Sequence, residues 1–286
     1  MKTLVLGSSG QLAYHLMQYR GRFGLTDDSF WARTKLDWTS TEQPADLVQA
    51  FKPTHIINTT AYTNVDAAET DRDPARIVNT KGPELLAQAA QQVGALLVHI
   101  STDYVFGNSQ PDIELSISSP KQPLNVYGET KLAGEQAIAQ HTDNFKIIRT
   151  SWLFSEHGTN FVKTMLRLST REQLRVVADQ VGRPTYAGDL AAAVVACLSD
   201  TGSIAPGVYH LSGGRSVSWY EFAQEIFNTA LRLQFIERAP ELIAIPTSEY
   251  PTPAGRPLNS KLAHSEELPE GDWQRALPEV LKSLFS

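Results

Sequence analysis

The chain has 286 residues, of which 42% are apolar, enough to bury a sizeable core, and it carries a formal charge of −6 with a pI near 5.7. Its Lys and Arg residues are scattered rather than clustered, so there is no basic field for nucleic acid. One cysteine, Cys197, excludes an internal disulfide framework. HExxH and CxxC spacings are missing, and the longest apolar run, 190–198, falls short of the roughly 20 residues a helix needs to span a bilayer.

The N-terminus passes from Met1-Lys2 into a short apolar stretch without the cleavage region of a signal peptide, so a cytoplasmic protein with no membrane partner is expected. In chain order, β-rich runs at 2–6, 29–33, 55–59, 96–101 and 146–150 alternate with helical patterns. This alternation marks βαβ units and a parallel sheet. Asp73-Pro74 reads as an N-cap followed by proline at the first helical position, and Gly94 closes that helix. Beyond 150, the pattern gives a strand at 175–177, a helix over 189–198 and a strand at 208–211. Ser218 with Glu221 makes a capping box. Pro240, Pro246, Pro251, Pro253 and Pro257 make 239–257 read as an extended loop. The expectation is an α/β fold: a Rossmann-type doubly wound parallel sheet over 1–150, joined by segments from about 175–215. Residues 151–286 mainly supply a smaller substrate-binding lobe.

Gly7-Ser8-Ser9-Gly10-Gln11-Leu12-Ala13 follows the first strand and opens a helical pattern. Glycines there let the backbone approach a pyrophosphate, and the helix start offers unpaired N–H donors. Alone the motif is weak, because any strand-to-helix turn favours glycine. The residue that reads the adenosine ribose belongs at the end of the second strand, in Trp31-Ala32-Arg33-Thr34. Ala32 lacks the carboxylate that favours NADH, Arg33 suits a 2′-phosphate, and Asp37 offers a substitute carboxylate. Both NADPH and NADH therefore stay open.

Tyr127 and Lys131 stand four residues apart, on one helix face. A phenol beside an ammonium is equipped to protonate a carbonyl oxygen as hydride reaches the carbon. Chance also produces such a pair. What adds weight is Thr102, at the C-terminal end of the fourth strand, where open α/β sheets place their ligands and where its hydroxyl can reach the same carbonyl. A strand-end threonine capping its own turn is the competing account.

These segments, with 58–66, Asn79 and Gly82-Pro83, 101–106, 125–135, Arg149 to Trp152, 179–185, Arg256-Pro257 and Asn259-Ser260, resemble the extended short-chain dehydrogenases. Among those, the resemblance is to the dTDP-4-dehydrorhamnose reductase family. It implies reduction of the C4 keto group of dTDP-4-dehydro-β-L-rhamnose by NAD(P)H, with Tyr127 as proton donor, Lys131 as its helper and Thr102 as third catalytic member. It further implies Gly7, Gly10, Gln11 and Leu12 around the pyrophosphate, and Asp37 and Trp38 near the adenosine. Ala61, Tyr62 and Thr63 fall along the nicotinamide half. Thr102, Asp103 and Trp152 become sugar contacts, and Arg256 the cation for the substrate diphosphate. Ala13 replaces the usual third glycine, and Thr60 stands where the family usually has alanine. Some members form homodimers through a metal held by carboxylates. No such set stands out here, so no metal is assigned and a homodimer remains an open partner.

Sugar-nucleotide dehydratases carry Thr-Asp-Glu where this chain has Thr102-Asp103-Tyr104, which removes the acid/base group that elimination of water needs. Two alternatives stay open: a nucleotide-sugar epimerase or other reductase, and a non-catalytic NADP-binding regulatory subunit of the methionine adenosyltransferase β type.

Overall fold

Short aliphatic runs that are hydrophobic on both sides can be stable only inside a parallel sheet covered on both faces by helices. The computed structural model describes residues 2–286 except 8, 19, 24–29, 34–35, 41, 108, 110–112 and 199–203, with backbone alone for 22–23 and 30–33. Six strands form one parallel sheet: β1 (Thr3–Leu6), β2 (Phe30–Arg33), β3 (His55–Asn58), β4 (Leu96–Thr102), β5 (Phe145–Thr150) and β6 (Gly207–His210). Their order is β6-β5-β4-β3-β1-β2. The chain leaves β1 for one edge and returns to build β3 on the other side. The point where the order reverses therefore lies between β1 and β3, at their C-terminal ends.

Side chains of a strand alternate between faces, and the two cores follow that alternation. On one face Val5, Ile57, Val98 and Ile148 pack with Leu12 and Leu16 of helix α1 (Gln11–Gln18) and with Leu190 and Val194. On the other, Leu4, Leu6, Ile56, Leu97 and Ile147 meet helices α2 (Glu42–Phe51), α3 (Gly82–Val93) and α4 (Val126–His141). Each such fully buried aliphatic side chain contributes about 1.5–3 kcal/mol. A third cluster lies away from this sheet, where helices α5 (Phe161–Arg167), α7 (Trp219–Arg232) and α8 (Trp273–Phe285) surround Phe154 and Phe222. Helix α6 (Ala187–Cys197) belongs to the first face. No helix among the described residues is long and apolar enough to cross a membrane.

Two local readings change. Between Pro240 and Pro246, Glu241–Ile245 is a strand, not a loop, and it pairs in parallel with Gln173–Val177 outside the main sheet. The prolines bound this strand, leaving its own N–H groups free to pair. Asp73 is not an N-cap: the helical path begins earlier, at Arg72–Arg76, with Asp71 at the cap position. It then widens into a π turn at Ile77–Lys81 before α3 ends at Gly94, φ +69°. Pro83 explains the widening, because it has no N–H to give the carbonyl of Asn79 and its ring crowds that oxygen. The capping box at Ser218 forms as expected, with Glu221 Oε2 accepting from the Ser218 N–H at 2.7 Å.

Candidate active site

A cavity of about 610 Å³ opens beyond the C-terminal ends of β1, β4 and β5. The glycine turn forms one wall through Ser9, Gly10, Gln11 and Leu12, and Ala61 and Thr63 extend it. The opposite end holds Thr102, Asp103, Tyr104, Tyr127, Lys131 and Trp152.

The turn after β1 requires glycine. Gly7 has φ +91°, and a Cβ there would stand 2.6 Å from Thr59 Oγ1. Thr59 in turn donates to the carbonyls of Leu6 (2.7 Å) and Gly7 (3.0 Å), tying the end of β3 to the turn. A Cβ on Gly10 would meet nothing within 4 Å, so the backbone facing the cavity is open to a ligand. The α1 N-terminus lies at this point, with its unpaired N–H donors. Gln11 is held from the other lobe: its Oε1 accepts from Asn160 Nδ2 at 2.9 Å and Ser155 Oγ at 3.2 Å.

Helix α4 begins at this cavity because Asn125 caps it, accepting from the Gly128 N–H at 2.8 Å while its own Nδ2 reaches Gly255 O at 2.7 Å. Gly128 lets the helix approach so closely that a Cβ would sit 2.2 Å from Tyr104 O. Tyr127 is thereby set edge-on to the Tyr104 ring at 5.5 Å. Burial pushes the Tyr127 phenol up to about 12, a hydrogen bond with Thr102 opposes the rise, and the Asp103 charge adds to it. Thr102 Oγ1 donates to Asp103 Oδ1 at 3.0 Å. Burial raises the Asp103 carboxyl to about 6, against hydrogen bonds from Ser260 and Thr102.

One turn along α4, Lys131 is 1% exposed and donates to Ile100 O at 2.7 Å, with His99 Nε2 at 3.0 Å. Burial pulls its amine down to about 8, against the pull of Glu135. His99 is fully buried, and burial and the Lys131 charge hold it well below the usual imidazole range. The residues His99 and Asn58 escape sequence reasoning because only the pairing of β3 with β4, which sets Asn58 beside His99, brings them together. Asn79 is likewise missed as a site residue in its own right. From the π turn its side chain binds both the N–H (2.8 Å) and the carbonyl (3.1 Å) of Tyr62, and Thr130 Oγ1 (3.1 Å).

Other predicted residues lie elsewhere. Trp38 is buried against Gly82 and Asp37 is exposed, bonded to Thr39; neither lines the cavity. The Tyr62 hydroxyl turns away to Asp71 at 2.8 Å. Arg256, 19% exposed, is bound to Asp66 at 2.8 Å and does not line the cavity, although its charge reaches Tyr104. The Arg33 side chain lies outside the described residues. Trp152 does line the cavity, at φ +49°, stacked on Trp219 with ring centroids 3.5 Å apart. Thr60, at the family's alanine position, bonds to Asn58 rather than into the cavity.

A nicotinamide cofactor fits these residues. The open glycine backbone suits a pyrophosphate, and two buried hydroxyls on the cavity wall, Ser101 Oγ and Thr150 Oγ1, have no hydrogen-bond partner among the described residues. Among those residues no cluster of three or more His, Cys, Asp or Glu is placed to hold a metal ion.

Residues 1–285 match the family model described as the RmlD substrate binding domain. The chain is 38% identical to the dTDP-4-dehydrorhamnose reductase of Aggregatibacter actinomycetemcomitans, covering 98% of each chain. It is 37% identical to that of Escherichia coli K12, covering 100% of this chain and 99% of the relative. A dTDP-4-dehydrorhamnose reductase structure from Bacillus anthracis, in complex with NADP, superposes with a TM-score of 0.88 at 36% identity, covering 99% of each chain. A UDP-glucose 4-epimerase from Thermus thermophilus, 19% identical with a TM-score of 0.81, shares the fold.

Proposed function

The chain belongs to the RmlD family of dTDP-4-dehydrorhamnose reductases, and on that premise we propose that it reduces the C4 keto group of dTDP-4-dehydro-β-L-rhamnose to dTDP-L-rhamnose. The Bacillus anthracis relative carries NADP, which favours NADPH as the electron donor. The observation that carries the mechanism is the meeting of Thr102, Tyr127 and Lys131 at one end of a cavity whose other wall is the glycine turn.

When bound, NADPH would supply the hydride for the carbonyl carbon. Gly10, Gln11 and Leu12 would hold its pyrophosphate, with Ala61 and Thr63 lining the same cavity. Tyr127 keeps its proton at neutral pH because its buried phenol is raised to about 12, so it is the acid that protonates the substrate oxygen. Thr102 supplies a second hydrogen bond to that oxygen by turning its hydroxyl away from Asp103 Oδ1, to which it otherwise donates at 3.0 Å, and so shares the charge that develops there. Lys131 lies one turn from Tyr127 and, in its protonated form, steadies the phenolate left after proton transfer. Asp103 and Trp152 border the same end and contact the sugar.

The direct test mixes the protein with dTDP-4-dehydrorhamnose and NADPH or NADH and follows loss of the reduced-nicotinamide absorbance. Stoichiometric oxidation with formation of dTDP-L-rhamnose is the expected result. Tight NADPH binding without turnover would overturn the catalytic reading in favour of a regulatory one.

A further inference from the structure

We propose that His99 is a positioning residue that sets the charge of Lys131: Asn58 pins its proton on Nε2, and the imidazole thereby turns a donor toward the lysine amine and favours its uncharged form. The argument starts at Thr60. Its backbone N–H lies 3.1 Å from Asn58 Oδ1, and its hydroxyl 2.5 Å from the same atom. A backbone N–H can only donate, so the Asn58 atom it faces must be the carbonyl oxygen. The Asn58 amide nitrogen then points the other way, 3.0 Å from His99 Nδ1, and it can only donate there.

His99 Nδ1 is therefore an acceptor. A neutral imidazole carries one proton, and it must sit on Nε2. That nitrogen is 3.0 Å from Lys131 Nζ. An ammonium has three donors and no acceptor, so a charged Lys131 would set donor against donor in a buried pocket. A neutral amine resolves the conflict: its lone pair accepts the His99 Nε2–H while one of its own hydrogens goes to Ile100 O at 2.7 Å.

The charges around Lys131 pull both ways. Glu135, on the same helix, favours the ammonium, but its carboxylate is already engaged by Arg149 at 2.6 and 2.9 Å. Asp103, Tyr104 and Tyr127 stand at the same end of the cavity. Burial and the His99 donor both oppose the charge. Asn58 and His99 are each fully buried, so water does not supply an alternative partner. Lys131 then gains and loses its proton close to working pH instead of remaining a fixed cation beside Tyr127.

This inference deepens the proposed reaction and rests on it for the role of Lys131, but the imidazole tautomer does not depend on turnover. Nitrogen-15 NMR of histidine-labelled protein at pH 7.5, with the His99 signals identified by their loss in His99→Gln, should show Nε2 protonated and Nδ1 bare. A proton on Nδ1, or on both nitrogens, overturns the proposal. Asn58→Asp keeps an acceptor for Thr60 but turns a second one toward Nδ1, moving the His99 proton there and freeing Nε2 to accept from an ammonium. The Lys131-governed limb in the kcat/KM profile should then move up by about one pH unit or more. A switched tautomer with an unmoved limb rules out the coupling. If Asn58→Asp does not fold, the wild-type tautomer still decides. Absence of NADPH oxidation by the wild-type protein refutes the reaction and leaves the tautomer measurement readable.

Discussion

Burial acts on Tyr127 and Asp103 in the same direction, holding a proton on each above its ordinary range. In the proposed reaction the Tyr127 proton is the one transferred to the substrate oxygen. Tyr127→Phe should lower kcat by about 10²–10⁴-fold, the usual contribution of a positioned acid, and leave the NADPH Kd within about twofold. Steady-state kinetics and fluorescence titration of NADPH check the two halves; near-normal kcat would make the phenol structural. For Asp103 the raised carboxyl is a stability cost with a definite sign. Its folded value is about 6, above the roughly 3.9 of an unfolded aspartate, so the native state holds the proton more tightly. Stability is lost as pH rises from about 4 through 6 and stays lost above it. Asp103→Asn, which cannot ionise, should gain on the order of 2–3 kcal/mol in urea unfolding at pH 8 and almost nothing at pH 4. An equal gain at both pH values would show that ionisation is not the cause. At this scale Thr102, Tyr127 and Lys131 were legible, because their chemistry shows in residue type, spacing and position at a strand end. Asn58 and His99 were not, since each looks like a polar residue in a strand until the register is known. Trp38 packs against Gly82 and Arg256 pairs with Asp66, contacts between segments distant in the chain that residue type alone does not announce.

Among the elements, α4 bears most directly on the proposed chemistry, since it carries both Tyr127 and Lys131. Its position depends on contacts too close for any side chain. A methyl at Gly128 would stand 2.2 Å from Tyr104 O and 2.9 Å from Pro123 Cβ, and the first of these is backbone. Gly128→Ala should therefore push the start of the helix off the β4 end. Thermal melts should register about 1–3 kcal/mol of overpacking, and kcat/KM should fall by about 10²-fold through misplacement of the phenol. If stability falls and kcat/KM does not, that contact supports the fold without placing Tyr127. The strands were readable because parallel, doubly buried strands are dense in aliphatic residues. The π turn at Ile77–Lys81 was not, because Asp73-Pro74 offers a stronger local start signal than the Pro83 distortion that actually shapes the segment. The strand Glu241–Ile245 was hidden by its flanking prolines, which sequence rules read as loop.

Across the whole molecule, the parallel sheet and the C-terminal segments are stitched together around the cavity. Helix α6, well past the first five strands, packs in the same core as α1 and β1. Ser151 Oγ donates to Arg183 O at 2.8 Å, and Asn160 and Ser155 hold Gln11 beside the glycine turn. The Glu135–Arg149 pair, only 5% and 3% exposed, links α4 to β5, with His210 of β6 at 3.3 Å from the guanidinium. Parts joined in this way have little to gain from unfolding separately, so calorimetry should show one cooperative transition. On the proposed binding mode, with NADPH held by the folded form across this seam, NADPH at 100 times its Kd should stabilise the entire unit by about 2.7 kcal/mol and move that single transition upward. Two transitions, of which NADPH moves only one, would mean that the lobe unfolds on its own and that Gln11 is held by a partner the cofactor site can do without.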